Sequence, residues 1–173
     1  MGQISGLTLS PPAPITAGHV LADFDCGEAS LNDWPKRRAL KNHAAGASRC
    51  FVVCAGPVVV GYYSLSAGAI SHESAPKALR RNRPDPLPVL LLGRLAIDKR
   101  YHNKGLGQAL LRDAMLRAVT VAGDAGVFAL LVHALSDPAK QFYLSRGFVA
   151  SPLQPMTLMV TLETVRAILA EAD

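Results

Sequence analysis

The sequence has few cysteines and no long hydrophobic run, and each shortage excludes a class of protein. Three of the 173 residues are cysteine, and no second Cys or His pair accompanies the Cys50 and Cys54 spacing. A disulfide scaffold and a zinc site are therefore excluded, and we expect no metal. The longest apolar stretches have the length of a β-strand and fall far below the roughly 20 residues of a membrane span.

Targeting signals are also missing from residues 1–14, which have neither a basic start nor an apolar run of signal-peptide length. Together with the reduced cysteines, this predicts a soluble cytoplasmic protein that does not bind a membrane. Half of the residues are hydrophobic and 18% are charged, which is typical of a globular domain and excludes a disordered chain. The length suits one domain, and there are no repeats or linkers, so we expect residues 1–173 to form a single domain.

Positive charge is concentrated in one part of the chain. Eighteen Lys and Arg against 13 Asp and Glu give a net charge of +5. Residues 76–117 hold ten basic and three acidic residues, a local charge of +7, so the rest of the chain carries −2. A near-neutral domain with one basic band is typical of a protein with a phosphate-rich partner.

Hydrophobic patterning predicts an α/β domain with a mixed sheet. The apolar run at residues 88–98 is typical of a central strand buried on both faces. Further strands are predicted at residues 49–55 and 58–70 as a hairpin, at 127–133, at 148–150 and at 157–161. Helices are predicted at residues 16–24, in the region 27–45, from about Leu106 to Ala122, from a cap at Ser136 or Asp137 to Arg146, and at 161–172. Pro35 should make the second of these helices start near Trp34 or kink there.

A glycine-containing turn joins the central strand to its helix. Gly105 and Gly107 lie where the helix begins, so backbone N–H groups can approach a ligand at the positive end of the helix dipole. Lys99, Arg100 and Lys104 add positive charge, and these features favour a pyrophosphate. The alternative interpretation is that Gly105 and Gly107 are small residues that serve only the packing of the helix start and bind no ligand. A P-loop is excluded because G-x4-G-K-[S/T] is absent, and the dinucleotide fingerprint lacks its third glycine.

One aromatic pair on a later helix has the chemistry of a proton donor. Phe142 and Tyr143 share a helix face with Ala139. Core packing is the simpler interpretation of the pair, but a tyrosine, whose pKa is ordinarily near 10, can also donate a proton.

The other ionisable residues form no recognisable catalytic pattern. Asp98 is interpreted as a strand-end or ion-pairing residue, and no general base stands out. Four histidines have no partner at ligand or triad spacing and are interpreted as surface or core side chains: His19, His43, His72 and His133.

Two motifs occur in an order and at a spacing that make the pair more specific than either motif alone. The first is Arg94-Leu95-Ala96-Ile97-Asp98 with His102-x-x-Gly105-x-Gly107; the second is Ala139-x-x-Phe142-Tyr143-x-x-x-Gly147-Phe148. Together they resemble the GNAT acetyltransferases. Val60-Gly61-Tyr62-Tyr63 and Pro155-Met156-Thr157-Leu158, among other stretches between residues 20 and 165, resemble the GNAT toxins of bacterial type II toxin–antitoxin modules, the TacT/AtaT-like group.

The resemblance implies the GNAT fold, a mixed central sheet flanked by helices, with acetyl-CoA between splayed central strands at residues 88–98 and 127–133. It implies direct transfer of the acetyl group to an amine in a ternary complex, with Tyr143 as the general acid for the departing thiolate. The residues implied to bind acetyl-CoA are Leu95, Ala96, Ile97, His102, Asn103, Lys104, Gly105, Leu106, Gly107, Gln108 and Phe142. Two positions depart from the usual pattern: His102 replaces a Gln or Arg, and Ser136 replaces an Asn that contacts pantetheine.

In this toxin group the acceptor is the α-amino group of an aminoacyl-tRNA, and its acetylation blocks translation. The residues expected to contact tRNA are Arg80, Arg81, Arg83, Trp34 and Arg38. The group also implies a ribbon-helix-helix antitoxin, operator DNA bound only through the toxin–antitoxin complex, and a homodimer. An acetyltransferase acting on a small-molecule amine or a protein N-terminus is the alternative. A nucleic-acid-binding module with a decayed site is a third possibility, against which Tyr143 and the two glycines argue.

Overall fold

The computed structural model describes residues 3–4 and 7–171. Residues 1, 2, 5, 6, 172 and 173 of the predicted domain lie outside the described residues. Within the described part, no helix has both the length and the apolar character that a membrane crossing requires.

The strands build a mixed sheet, as predicted. In chain order they are β1 (Gln3–Ile4), β2 (Leu7–Thr8), β3 (Ala13–Pro14), β4 (Arg49–Ala55), β5 (Val58–Ile70), β6 (Leu87–Ile97), β7 (Ala129–His133), β8 (Val149–Ala150) and β9 (Thr157–Thr161). Among the described residues, β1 and β2 form a two-stranded antiparallel sheet, and the other seven strands form one sheet in the order β3-β4-β5-β6-β7-β9-β8. The pair β6–β7 is parallel, whereas β4–β5 and β7–β9 are antiparallel.

Helices lie between these strands. They are α1 (Ala29–Trp34), α2 (Leu40–Ala45), α3 (Leu106–Ala122), α4 (Asp137–Leu144) and α5 (Leu162–Glu171). Pro35 opens a π-helical turn, Pro35–Ala39, that links α1 to α2. Because proline has no N–H and its ring crowds the preceding turn, a locally wider turn accommodates it inside a continuous helical segment. The irregularity predicted at Pro35 is thus a π-helical turn, and the helix begins at Ala29 rather than near Trp34.

The helix predicted at residues 16–24 is wrong. This stretch consists of turns, and Val20 forms a parallel bridge with Val58. The Val20 N–H donates to the Pro57 carbonyl, and the Val59 N–H donates to the Val20 carbonyl. Backbone pairing with a strand start some 38 residues further along replaces local helical bonds.

The chain divides into two compact units, Met1–Ser66 with Arg94–Ala114 and Ala67–Gly93 with Met115–Asp173. The single domain predicted from the length stays a prediction. The core of the first unit packs Phe24, Trp34 and Tyr62 with small and β-branched residues. Tyr62 is fully buried there, and its hydroxyl donates to the Leu31 carbonyl at 2.6 Å, so its polar end is satisfied.

The second unit has its own core beneath β6, β7 and β9. Val89, Ala129, Leu131 and Met159 belong to it, together with the fully buried Leu87. In register, β6 pairs with β7 over Val89–Leu92 and Ala129–Val132. Residues with odd numbers therefore point to the same face of both strands.

Candidate active site

The turn after β6 has the backbone geometry of an anion site. Asp98 caps a short 3₁₀ turn, Lys99–Tyr101, by accepting the Arg100 N–H at 3.0 Å. Asn103 and Gly105 then adopt left-handed conformations, with φ of 60° and 78°, directly before α3. Left-handed residues in such a turn direct N–H groups into one concavity, next to the positive end of the helix dipole. The place that a Cβ of Gly105 would occupy is open, with nothing within 4 Å. These residues therefore fit a pyrophosphate.

His102 holds this turn against the end of the strand. Its Nε2 donates to the Ile97 carbonyl at 2.6 Å, which closes the loop through a side chain rather than through the backbone. The histidine that departs from the family pattern thus has a structural partner. Leu106 is one of the residues predicted to bind acetyl-CoA, and its side chain is buried. Leu106 can therefore contact a ligand only through its backbone.

Two cations of the turn are already paired. Lys99 Nζ lies 3.0 Å from Asp25 Oδ2, and Arg100 Nε lies 2.9 Å from Asp98 Oδ1. Hydrogen bonds from the Gly27 N–H, Asn32 and Lys99 hold the pKa of Asp25 at about 2. Burial acts to raise the pKa of Asp98, but the hydrogen bonds from the side chain and backbone of Arg100 outweigh it and lower that pKa. The interpretation of Asp98 as an ion-pairing residue is confirmed, and the groups that this turn offers to an anion are mainly backbone N–H groups.

Tyr143 is the buried phenol of the second unit. It is 8% exposed and makes edge-on contacts with Phe142 and Phe148, at 5.1 and 5.2 Å between ring centroids. Desolvation raises the pKa of Tyr143 to about 12. The phenol therefore keeps its proton at neutral pH, as a general acid must.

The helix that carries Tyr143 is positioned by its cap. Ser136 Oγ accepts the Ala139 N–H at 3.2 Å, and Pro138 occupies the first turn. Ser136, which replaces the pantetheine-contacting Asn of the family, is thus the N-cap of α4. At the other end of the helix, the Arg146 guanidinium lies 4.0 Å from the Phe142 ring centroid.

Three arginines before β6 form the basic segment, residues 77–83. Arg80 Nε donates to the Ala75 carbonyl at 2.9 Å and its Nη2 to the Glu73 carbonyl at 3.4 Å. Arg83 places its guanidinium 5.2 Å from the Phe128 ring centroid, and Arg81 is exposed. None of the three forms an ion pair within the described part of the chain, so their charge is uncompensated.

The other two residues predicted to contact tRNA are placed differently from each other. Trp34 is only 9% exposed and stacks on Tyr62 at 5.9 Å, which suits a supporting role, whereas Arg38 is exposed on the π-helical turn. The Arg94 guanidinium lies 4.2 Å from the Trp34 ring centroid, and burial lowers its pKa. No role was predicted for Arg94, although an arginine inside the apolar run at residues 88–98 indicates a side chain with a specific partner.

The second unit also contains a pocket of about 290 Å³ at the end of β5. Its walls come from β5, β6, β7 and β9 and from the loop before β9. The lining residues are Gly68, Ala69, Ile70, Ser71, Ser74, Val89, Leu91, Leu131, His133, Gln154 and Thr157. No group of three His, Cys, Asp or Glu side chains that could hold a metal occurs among the described residues.

Comparisons with known proteins agree with this architecture. Residues 46–150 match the acetyltransferase (GNAT) domain. The chain is 46% identical to the tRNA-acetylating toxin of Mycobacterium tuberculosis (strain ATCC 25618 / H37Rv), over 94% of this chain and 98% of that protein.

Solved structures of AtaT are similar as well. AtaT complexed with acetyl-methionyl-tRNAfMet has a TM-score of 0.86 and 27% identity, over 93% of this chain and 99% of that chain. A tyrosine-to-phenylalanine variant of AtaT, bound to the C-terminus of the antitoxin AtaR and to acetyl-CoA, has a TM-score of 0.81 and 26% identity, over 93% and 98% of the two chains.

Proposed function

Because the chain belongs to the GNAT acetyltransferases, we propose that it is an acetyl-CoA-dependent toxin that acetylates the α-amino group of aminoacyl-tRNA and so blocks translation. The observation that carries this proposal is the 46% identity to a tRNA-acetylating toxin over nearly the full length of both chains. An acetylated amino group cannot attack the ester that joins the growing peptide to its tRNA, so the modified amino acid cannot accept the peptide.

The residues of this chain divide the chemistry between binding and proton transfer. Acetyl-CoA, which supplies the activated acetyl group as a thioester, binds by its pyrophosphate to the N–H groups of residues 102–108, and the open space at Gly105 supports this placement. The backbone of Leu95–Ile97 orients the thioester carbonyl. The remaining contacts of the proposed cofactor site come from Asn103, Lys104, Gly107, Gln108 and Phe142.

Tyr143 holds the proton that the reaction needs. With a pKa of about 12, the phenol stays protonated through the pH range in which an α-amino group, with an ordinary pKa of 7.7–8.0, becomes neutral. Acid and nucleophile therefore coexist in their reactive forms near pH 8. Tyr143 gives its proton to the sulfur that leaves the acetyl group.

The tRNA is bound by the uncompensated positive charge of the basic segment, Arg80, Arg81 and Arg83, and by Arg38, with Trp34 supporting Arg94. Phosphates attract such charge, and each contact gains from counterion release. AtaT has been solved with an acetylated aminoacyl-tRNA and with its antitoxin, which supports the same two classes of partner here. We further propose a ribbon-helix-helix antitoxin, operator DNA bound only through that complex, a homodimer and a cytoplasmic location.

The direct test is mass spectrometry of a charged tRNA pool after incubation with the enzyme and labelled acetyl-CoA. We expect N-acetyl-aminoacyl-tRNA as the product. Tyr143→Phe should lower the single-turnover rate by at least about 10²-fold while acetyl-CoA and tRNA still bind. Phe is chosen as the replacement because it keeps the ring contacts with Phe142 and Phe148 and removes only the phenol hydroxyl with its proton. Robust acetylation of a polyamine or peptide without any labelled tRNA would refute the proposal.

A further inference from the structure

The pocket in the second unit contains a single ionisable side chain, and the mechanism above gives that side chain no role. Apolar and small residues form most of the lining, together with two serines, Gln154 and Thr157. All eleven lining residues belong to the described part of the chain, and His133 is the one side chain among them with a basic ring nitrogen.

The imidazole of His133 is held in one tautomer. Its Nδ1 lies 2.8 Å from Thr157 Oγ1, and the Thr157 hydroxyl donates to Gln154 Oε1 at 3.2 Å. Because that hydroxyl proton is committed to Gln154, the Thr157 oxygen accepts from Nδ1–H. The other ring nitrogen, Nε2, is then the unprotonated one, and no described residue bonds to it.

The position of His133 in the sheet is where a ligand is expected. His133 is the last residue of β7, and the parallel pairing of β7 with β6 ends one residue earlier, at Val132 and Leu92. In open α/β sheets, ligands bind beyond the carboxyl ends of parallel strands. The chain then passes directly into α4, which carries Tyr143.

The size and polarity of the pocket suit an amine with an apolar substituent. A volume of about 290 Å³ lies at the lower end of small-molecule sites, enough for one aminoacyl group. Ile70, Val89, Leu91 and Leu131 offer apolar walls, while no carboxylate lines the pocket to hold the amine as an ammonium ion.

We propose that His133 is a catalytic residue: its Nε2 receives the α-amino group of the aminoacyl acceptor in this pocket and accepts one proton from it. This inference rests on the proposed function and adds the proton acceptor to it. The hydrogen bond to Thr157 fixes the ring so that Nε2 is ready to accept.

The proton balance of the transfer is then complete. The amine nitrogen forms a bond to the acetyl carbon, and the bond from that carbon to sulfur breaks. One N–H proton moves to His133 Nε2, and the Tyr143 phenol proton moves to the departing thiolate. The imidazolium and the phenolate return to their starting states by exchanging one proton each with water. No oxidant or metal is required.

The test uses the full chain with His133→Ala and added imidazole. We expect the single-turnover rate on charged tRNA to fall by at least about 10²-fold, with acetyl-CoA affinity unchanged. Imidazole should restore part of the rate, in proportion to the concentration of its neutral form. A role limited to structure would not respond to a free base in this way, so lack of rescue would overturn the proposal.

His133→Asn is the matched control. The Asn amide N–H can replace Nδ1–H toward Thr157, but it places no atom where Nε2 stood. We expect this variant to be as slow as His133→Ala, and wild-type activity would refute the assignment. A short peptide with a free N-terminus is assayed in parallel. If the wild type acetylates only the peptide, the proposed function fails, but the same two variants still decide the role of His133.

Discussion

The basic turn, residues 98–108, and the basic segment, residues 77–83, carry the same kinds of side chain and use them in opposite ways. In the turn, Lys99 and Arg100 are paired with Asp25 and Asp98. In the segment, no arginine has an acidic partner within the described residues; Arg80 donates to backbone carbonyls instead.

This difference shows that local charge in a sequence does not by itself identify what binds a phosphate. In the turn, two cations are committed to ion pairs, and we propose that the left-handed Asn103 and Gly105 present backbone N–H groups to the cofactor. A backbone site of this kind selects a ligand by shape. The segment also has one left-handed residue, Asn82 with φ of 57°, but the next element along the chain is the strand β6 and not a helix, so it lacks the helix dipole that the turn has. We therefore propose that its side-chain charge selects for a polyanion of large area, such as a folded RNA.

The largest effect should follow removal of charge from the segment. Replacing Arg80, Arg81 and Arg83 together with Ala should weaken tRNA binding by at least about 10²-fold at low salt and reduce the slope of log affinity against log salt by about two to three. The measurement is a salt titration of tRNA binding. Acetyl-CoA affinity should stay unchanged, because the turn binds by its own backbone.

Two controls keep this result interpretable. The corresponding triple Lys variant retains the charge and should retain the salt slope, although it loses the hydrogen bonds of Arg80. Arg166→Ala removes an exposed arginine from α5 and should leave tRNA binding near the wild-type level. Equal losses in the Arg166 variant would mean that only overall charge matters.

A smaller effect is expected from the shape of the turn. Gly105 has φ of 78°, and a β-branched side chain resists this conformation, at a cost of about 1–2 kcal/mol. Gly105→Val should therefore weaken acetyl-CoA binding by roughly tenfold, measured by calorimetry, while tRNA affinity is preserved.

Gly105→Asn is the control for conformation. Asn tolerates left-handed backbone, as Asn103 does two residues earlier with φ of 60°. We expect this variant to bind acetyl-CoA nearly as well as the wild type. If Asn were as damaging as Val, the missing side chain rather than the backbone angle would be the requirement at this position.

The elements that repeat a strong local pattern were predictable from the sequence. The hairpin of β4 and β5, the buried strand β6, the long helix α3 and the Ser136 cap of α4 all have short-range signals. The strand β7 starts two residues later than its apolar run, at Ala129. Tyr143 and the glycine turn were singled out by their spacing, and their roles stay predictions.

The features that join distant parts of the chain were not predictable. The helix expected at residues 16–24 is replaced by pairing of Val20 with Val58, and the partner of Lys99 is Asp25, far earlier in the chain. His133 is exposed, which agrees with its interpretation as a surface or core side chain, but its hydrogen-bond partner Thr157, 24 residues away, was not predicted. A single sequence carries no signal for such contacts, since they depend on how the sheet brings strands together.

The smallest effect should follow replacement of Lys99. This replacement tests directly whether the turn, unlike the segment, binds phosphate without side-chain charge. If its charge is already committed to Asp25, Lys99→Ala should change acetyl-CoA affinity by less than about twofold, since an exposed ion pair contributes little. Both side chains of this pair are more than half exposed, at 58% and 51%, so their loss should leave the fold intact. The measurement is acetyl-CoA calorimetry at low and high salt. A marked loss at low salt that disappears at high salt would mean that Lys99 leaves Asp25 to bind phosphate directly, and the turn would then use side-chain charge as the segment does.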